Sequence, residues 1–147
     1  MSFARETGFA ALAERDVAAS QERPAEVMYA GFSFGVMAAQ QLAQTRPGAR
    51  GALLMYSCLP VSEFGDAWPD GVPVQIHGKE ADPFFDEDLE AARALVDSTD
   101  DAELYLYPGD EHLFADSSLP AYDAAAAALL TERVLAFLDT VRDDGAA

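Results

Sequence analysis

Positive charge is scarce in this chain. Its 147 residues hold nine cationic side chains, of which Lys79 is the single lysine, against 26 aspartates and glutamates, for a formal net charge of −17. Nucleic acid and anionic membrane surfaces would both be repelled, so neither is an expected partner. Cysteine is equally rare. Cys58 has no second thiol with which to close an intramolecular bridge. Long apolar runs are lacking too: the opening MSFARETGFAALAERD carries charges throughout, unlike a signal peptide or a membrane span, and a cytoplasmic protein is the expectation. The acids follow no calcium-loop spacing. Runs such as DEDLE at 86–90 and DSTDDAE at 97–103 read as solvated helix faces and loops, so neither a metal nor another cofactor is expected.

What remains is ample for a folded domain. A chain of this length buries about 70% of its unfolded surface and needs no covalent staple. Apolar periodicity predicts a helical segment over 4–20, strands at 27–32, 51–57 and 72–78, a helix near 86–97, a strand at 103–109 and a closing helix from 121 to 142. A further helix over 35–46 carries Val36, Ala39, Leu42 and Ala43 on one face and stops at Pro47-Gly48. Strands alternating with helices predict an α/β domain with a mostly parallel sheet and helices on both faces. One domain is expected, with residues 1–24 as an N-terminal helical segment, 25–142 as the catalytic core and 143–147 as a flexible tail.

Ligands of such sheets bind beyond the carboxyl ends of the strands. There the first strand gives way to Gly31-Phe32-Ser33-Phe34-Gly35, a glycine-flanked serine between strand and helix. This is the pattern of a nucleophile elbow, in which Gly31 and Gly35 would remove colliding side chains and Ser33 would stand clear of the sheet. After the third strand comes Asp82, in HGKEADPFF, and after the fourth His112, in YPGDEHLF. Serine, acid and histidine in that chain order are what acyl transfer on an elbow requires. His112 is the candidate base, Asp82 its orienting acid, and the Phe34 backbone amide a candidate oxyanion donor at a helix N-terminus. Glu80 and Asp86 compete with Asp82, which is preferred because Pro83 fixes a turn directly after it. His77, inside its strand, reads as a hydrogen-bonded packing histidine, and Cys58 as a small, partly buried hydrophobe. Phe32, Phe84 and Phe114 are candidates for a substrate pocket, with Phe85, Trp68 and Tyr122 as further aromatics that core packing also explains.

With these residues in place, the chain resembles the dienelactone hydrolase family of α/β-hydrolases over about residues 25–142. GFSFGVMAAQ, VPVQIHGKEADPFF, LYLYPGDEHLFADSSLPAYD and AALLTERVLAFLD carry the resemblance. It implies hydrolysis of a carboxylic ester or lactone through an acyl-enzyme, with no cofactor, and nucleophile, acid and base at Ser33, Asp82 and His112. Many members use cysteine followed, after one residue, by two glycines, whereas here Ser33 stands as nucleophile and Val36 follows Gly35. Members that act on dienelactone carry an arginine shortly after the histidine, where this chain has Asp116. An acid there would repel an anionic lactone, so small uncharged or cationic acyl substrates are expected.

Family members also begin with further strands and a helix ahead of the segment at 4–20, and a loop of that region supplies the second oxyanion amide. Loss of one such donor costs about 10²–10³ in rate. The elbow strand would then form an exposed sheet edge, and a truncated reading frame or a homodimer across that edge is the expectation. The competing reading of the chain is therefore a catalytically silent domain that acts as an interaction or oligomerisation module. No acidic phospho-acceptor cluster or phosphate-binding glycine loop follows the strands, which sets a receiver-like or flavodoxin-like role aside.

Overall fold

Four parallel strands in the order β1-β2-β3-β4 form the sheet of the computed structural model, which describes residues 8–143. The chain runs α1 (Phe9–Ser20), β1 (Met28–Phe32), α2 (Val36–Thr45), β2 (Gly51–Met55), β3 (Val74–Lys79), α3 (Pro83–Asp86), α4 (Leu89–Ser98), β4 (Ala102–Tyr107) and α5 (Ala124–Asp143), with short 3-10 turns at Ser33–Gly35 and Val61–Glu63. Register is parallel throughout, with Gly31 beside Leu54, Met55 beside His77 and Ile76 beside Leu104. No helix among the described residues is long and apolar enough to cross a membrane.

Both faces of the sheet are covered. Tyr29, Ala52, Leu54, Val74 and Ile76 pack with Val36, Ala39 and Leu42 of α2 and with Ala92 and Leu95 of α4. On the opposite face Leu53, Met55 and Tyr107 pack with Ala126, Leu130, Phe137 and Val141 of α5. Every residue of β2 and β3 is buried, as expected of central strands in a doubly covered parallel sheet.

Strand β3 reads Val-Gln-Ile-His-Gly-Lys, an alternation that resembles a half-exposed strand, yet its polar residues are buried. They are satisfied in sequence along the sheet. Gln75 donates to Glu103 (3.1 Å) and accepts from His77 Nε2 (2.8 Å), whose Nδ1 lies 2.9 Å from the Tyr107 hydroxyl. His77 is thus a packing histidine with both ring nitrogens partnered. Burial, helped by the charge of Arg133, lowers its pKa from 6.5 to about 4. In the unfolded chain this histidine takes a proton below about 6.5, while the folded one resists until about 4. The stability it contributes is therefore complete above pH 6.5 and is lost as pH falls toward 4, a change of roughly 3 kcal/mol. Urea unfolding at pH 7 and pH 4.5 should show a distinctly smaller drop for His77→Gln than for the native chain. Equal drops would remove His77 as the cause.

Several boundaries move from their sequence-based positions. Helix α1 begins at Phe9; residues 4–7 of the expected 4–20 segment lie outside the described residues. Of the expected tail at 143–147, Asp143 closes α5 and the rest lies outside them too. The single helix expected near 86–97 is two, α3 and α4. Asp82 caps the Phe84 amide at 2.9 Å with Pro83 at the first helical position, which starts α3 early. The break follows at Asp88, whose carboxylate turns away to accept from the Ser57 hydroxyl (2.5 Å) and the Cys58 amide (3.2 Å). Helix α5 starts at Ala124 rather than 121, because Asp123 accepts from the amides of Ala125 and Ala126, both at 3.1 Å.

Candidate active site

Strand β1 ends at Phe32 and the chain turns at once into the Ser33–Gly35 turn and α2. Ser33 takes a left-handed backbone, φ 50, at this turn. Close approach of α2 to β1 demands Gly31: a Cβ there would lie 2.5 Å from the Gly35 carbonyl oxygen and 2.7 Å from the Val36 Cα. Gly35 does not play the corresponding part. Its φ is −62, and a Cβ would meet nothing within 4 Å. The elbow therefore needs one of its two glycines for steric reasons, which corrects the expectation for Gly35.

Three side chains from three strand ends converge at this turn. His112 Nε2 lies 2.9 Å from Ser33 Oγ, and His112 Nδ1 lies 2.6 Å from Asp82 Oδ2. Asp82 comes from the segment after β3 and is 1% exposed, while His112 follows β4 and is half-buried. A carboxylate only accepts, so Nδ1–H donates to Asp82 and Nε2 is left to accept from the serine hydroxyl. The second Asp82 oxygen accepts from the Phe84 amide at 2.9 Å, which fixes the carboxylate from behind. Glu80 and Asp86, the rival acids, are not paired with His112.

Lys79 holds the histidine loop in place. Its ammonium reaches Glu111 Oε2 at 2.6 Å and Asp123 Oδ2 at 2.7 Å, tying the residue before His112 and the start of α5 to the end of β3. Burial opposes the charge, but the hydrogen bonds of Asp123 and Glu111 outweigh it and raise the lysine pKa. Gly109, at φ 109, makes room for this cluster: a Cβ there would lie 2.7 Å from Glu111 Oε2 and 2.8 Å from Lys79 Nζ.

A cavity of about 750 Å³ opens beside Ser33, lined by Phe32, Phe34, Tyr56, Leu113, Ala115 and Asp116 among others. Its lining includes all three non-glycine residues with a left-handed backbone among those described: Ser33, Tyr56 (φ 69) and Leu113 (φ 59). Backbone strain of this kind concentrates at functional sites, where the surrounding structure has to enforce it. Tyr56 and Leu113 escaped the sequence reading. Positive φ at a tyrosine or a leucine has no sequence signature: Tyr56 lies inside the strand expected over 51–57, which ends at Met55, and Leu113 directly follows His112.

The aromatic candidates separate. Phe32 and Phe34 line the cavity, with the Phe34 amide among the first N–H groups of the helical turn, which lack intrahelical partners. Phe84 is exposed and tilts over His112 at 5.0 Å without lining the cavity. Phe114 is fully buried between Tyr56 and Tyr107, a core residue and not a pocket wall. Phe85 and Trp68 are buried in the opposite core cluster, and Tyr122 is exposed. Cys58 is fully rather than partly buried; burial first, and then Asp88, push its thiol pKa up to about 12, so it is no nucleophile.

The sequence profile of the dienelactone hydrolase family matches residues 5–142. Among solved structures, the chain is similar to a protein of Klebsiella pneumoniae subsp. pneumoniae MGH 78578 assigned as a dienelactone hydrolase, at 20% identity over 87% of this chain with a TM-score of 0.61. It is similar also to a dienelactone hydrolase-like promiscuous phosphotriesterase from metagenomic libraries, at 22% identity over 92% of this chain and TM-score 0.65. A third, designated m3DLH, aligns at 19% identity over 95% of this chain and TM-score 0.67. The alignments cover 58%, 61% and 63% of those three structures, so the chain spans about three fifths of their length. At such identities the likeness is one of fold. None of the curated proteins compared with the chain matches it. The profile match over nearly the whole sequence carries the assignment: the chain belongs to the dienelactone hydrolase family.

Proposed function

We propose that the chain is a serine hydrolase that cleaves a carboxylic ester or lactone through an acyl-enzyme on Ser33. One observation carries this reading: the unbroken line from Ser33 Oγ through both nitrogens of His112 to Asp82, in steps of 2.9 and 2.6 Å. A serine hydroxyl is a weak nucleophile without such a base. In the first half-reaction Ser33 Oγ forms a bond to the acyl carbon while its proton passes to His112 Nε2, which returns that proton to the departing alkoxide. Water then attacks the acyl-enzyme, giving its proton to the same nitrogen, and the carboxylic acid leaves as Ser33 regains its hydrogen. The Phe34 amide donates to the oxygen that bears negative charge in each tetrahedral intermediate. Base catalysis of this kind contributes about 10²–10⁴-fold.

Intact-protein mass spectrometry after exposure to a fluorophosphonate tests the assignment. A single adduct on the native chain and none on Ser33→Ala is the expected result. A folded native chain that takes no label would overturn it. The position of β1 at one edge of the sheet, with Phe32 more than half exposed at its end, favours a second reading, an interaction module that pairs through that edge. An unlabelled chain that forms concentration-dependent oligomers by light scattering would put that reading first.

A further inference from the structure

We infer that the cavity beside Ser33 selects acyl substrates that carry a positive charge, with Asp116 as the specificity-determining carboxylate and Phe32 and Tyr56 as its aromatic walls. The inference rests on the Ser33 hydrolase reading and names its substrate class.

Asp116 is the sole charged residue on the cavity lining among the described residues. Its Oδ1 accepts from the Ser118 amide at 2.9 Å and the Ser118 hydroxyl at 2.6 Å, which orients the group. Oδ2 takes no hydrogen bond among the described residues and is available to a ligand. The Ser118 hydroxyl, and then its amide, hold the Asp116 carboxyl below its ordinary pKa, so at neutral pH the cavity presents an anion. Among the described residues no cation is paired with it. Lys79 is committed to Glu111 and Asp123, Arg133 lies over Tyr105 and Tyr107, and Arg46 bonds the Tyr29 hydroxyl and the Arg23 carbonyl. An anionic acyl group would meet Asp116 with no cation among the described lining residues to offset the repulsion.

The apolar walls suit the same ligand. The rings of Phe32 and Tyr56 stand 6.1 Å apart at 42°; Phe32, 56% exposed, offers its face to a cation without rearrangement, and Tyr56, 2% exposed, backs it. Burial chiefly, with Tyr107 and Asp116 adding to it against a hydrogen bond to Ala115, raises the Tyr56 phenol, which keeps this wall uncharged. The overall charge of −17 raises the local concentration of cations as well.

The test compares binding and turnover. Choline and its neutral isostere 3,3-dimethylbutan-1-ol are titrated by NMR into the native chain, Asp116→Asn and Glu132→Gln. Glu132 lines a separate cavity between α5 and the amino-terminal parts of β3 and β4, with Pro73, Gln75 and Asp101, so its variant removes one charge from a cavity that Ser33 does not line. Choline affinity should fall about fivefold in Asp116→Asn, the scale of one exposed ion pair, with little change in Glu132→Gln. In parallel, the 4-nitrophenyl esters of butanoate, 4-(trimethylammonio)butanoate and succinate are compared. The ratio of cationic to neutral kcat/KM should fall by a similar factor in Asp116→Asn, and the succinate ester should be the poorest substrate of the native chain. Equal binding of choline and its isostere, or equal effects of the two substitutions, would overturn the charge preference. If choline behaves as expected while no ester is turned over, the preference stands and the hydrolase reading falls.

Discussion

Asp82→Asn is expected to lower kcat for a carboxylic ester, and the rate of fluorophosphonate labelling, by about 10³–10⁴-fold with the fold retained. The carboxylate has two separate duties. One oxygen accepts from the Phe84 amide and caps α3; the other accepts from His112 Nδ1. An asparagine side chain has one acceptor and one donor, so it can keep the cap only by turning its amide nitrogen toward the imidazole. Nδ1 must then accept, the ring proton moves to Nε2, and the nitrogen facing Ser33 becomes a donor. The lone pair that would take the serine proton is lost from the one position where a base is needed. Thermal unfolding close to that of the native chain, together with the lost rate, would identify the tautomer as the cause. A variant within tenfold of native activity would mean that His112 does not depend on Asp82 for its orientation.

Gly31→Ala is expected to destabilise the chain by about 3 kcal/mol, at the upper end of the ordinary cost of overpacking. The obstacle is backbone: the added methyl would meet the Gly35 carbonyl and the Val36 Cα, and neither can rotate aside as a side-chain terminus would. Relief requires α2 to lift from β1, which opens the packing of Val36, Ala39 and Leu42 against the sheet. Gly35→Ala, four residues on, should change stability by no more than about 1 kcal/mol, since its backbone is helical and the space around it is free. Urea unfolding of the pair decides the matter. Similar losses for both substitutions would show that the elbow is governed by the flexibility of glycine and not by the contact between strand and helix.

The alternation of strands and helices was legible because β2 and β3 are short apolar or alternating runs ended by turn residues, and because parallel strands need crossovers between them. Boundaries were less so. Caps by Asp82 and Asp123 fix where α3 and α5 begin, Asp88 marks the break before α4 without capping it, and all three aspartates are also bonded to residues far along the chain. The juxtaposition of Ser33, Asp82 and His112 was anticipated from chain order and from their common position after strands. What surrounds them was not. The Lys79 cluster joins residues 32 and 44 positions apart, and no local pattern announces such a pairing. Phe114 and Phe32 look alike in sequence, yet one is fully buried and the other mostly exposed, because the backbone turns at Leu113 and at Ser33 decide which way each ring faces.

The burial of Lys79 leaves the chain without an accessible lysine, since that residue is the sole one in the sequence and its side chain is 1% exposed. Reagents and enzymes that acylate lysine amines, from activated-ester dyes to acetyl and ubiquitin transferases, meet no side-chain target on the folded surface. Acylation of Lys79 itself would therefore report the opening of the loop that carries His112, since Glu111 and Asp123 enclose the ammonium in the folded chain.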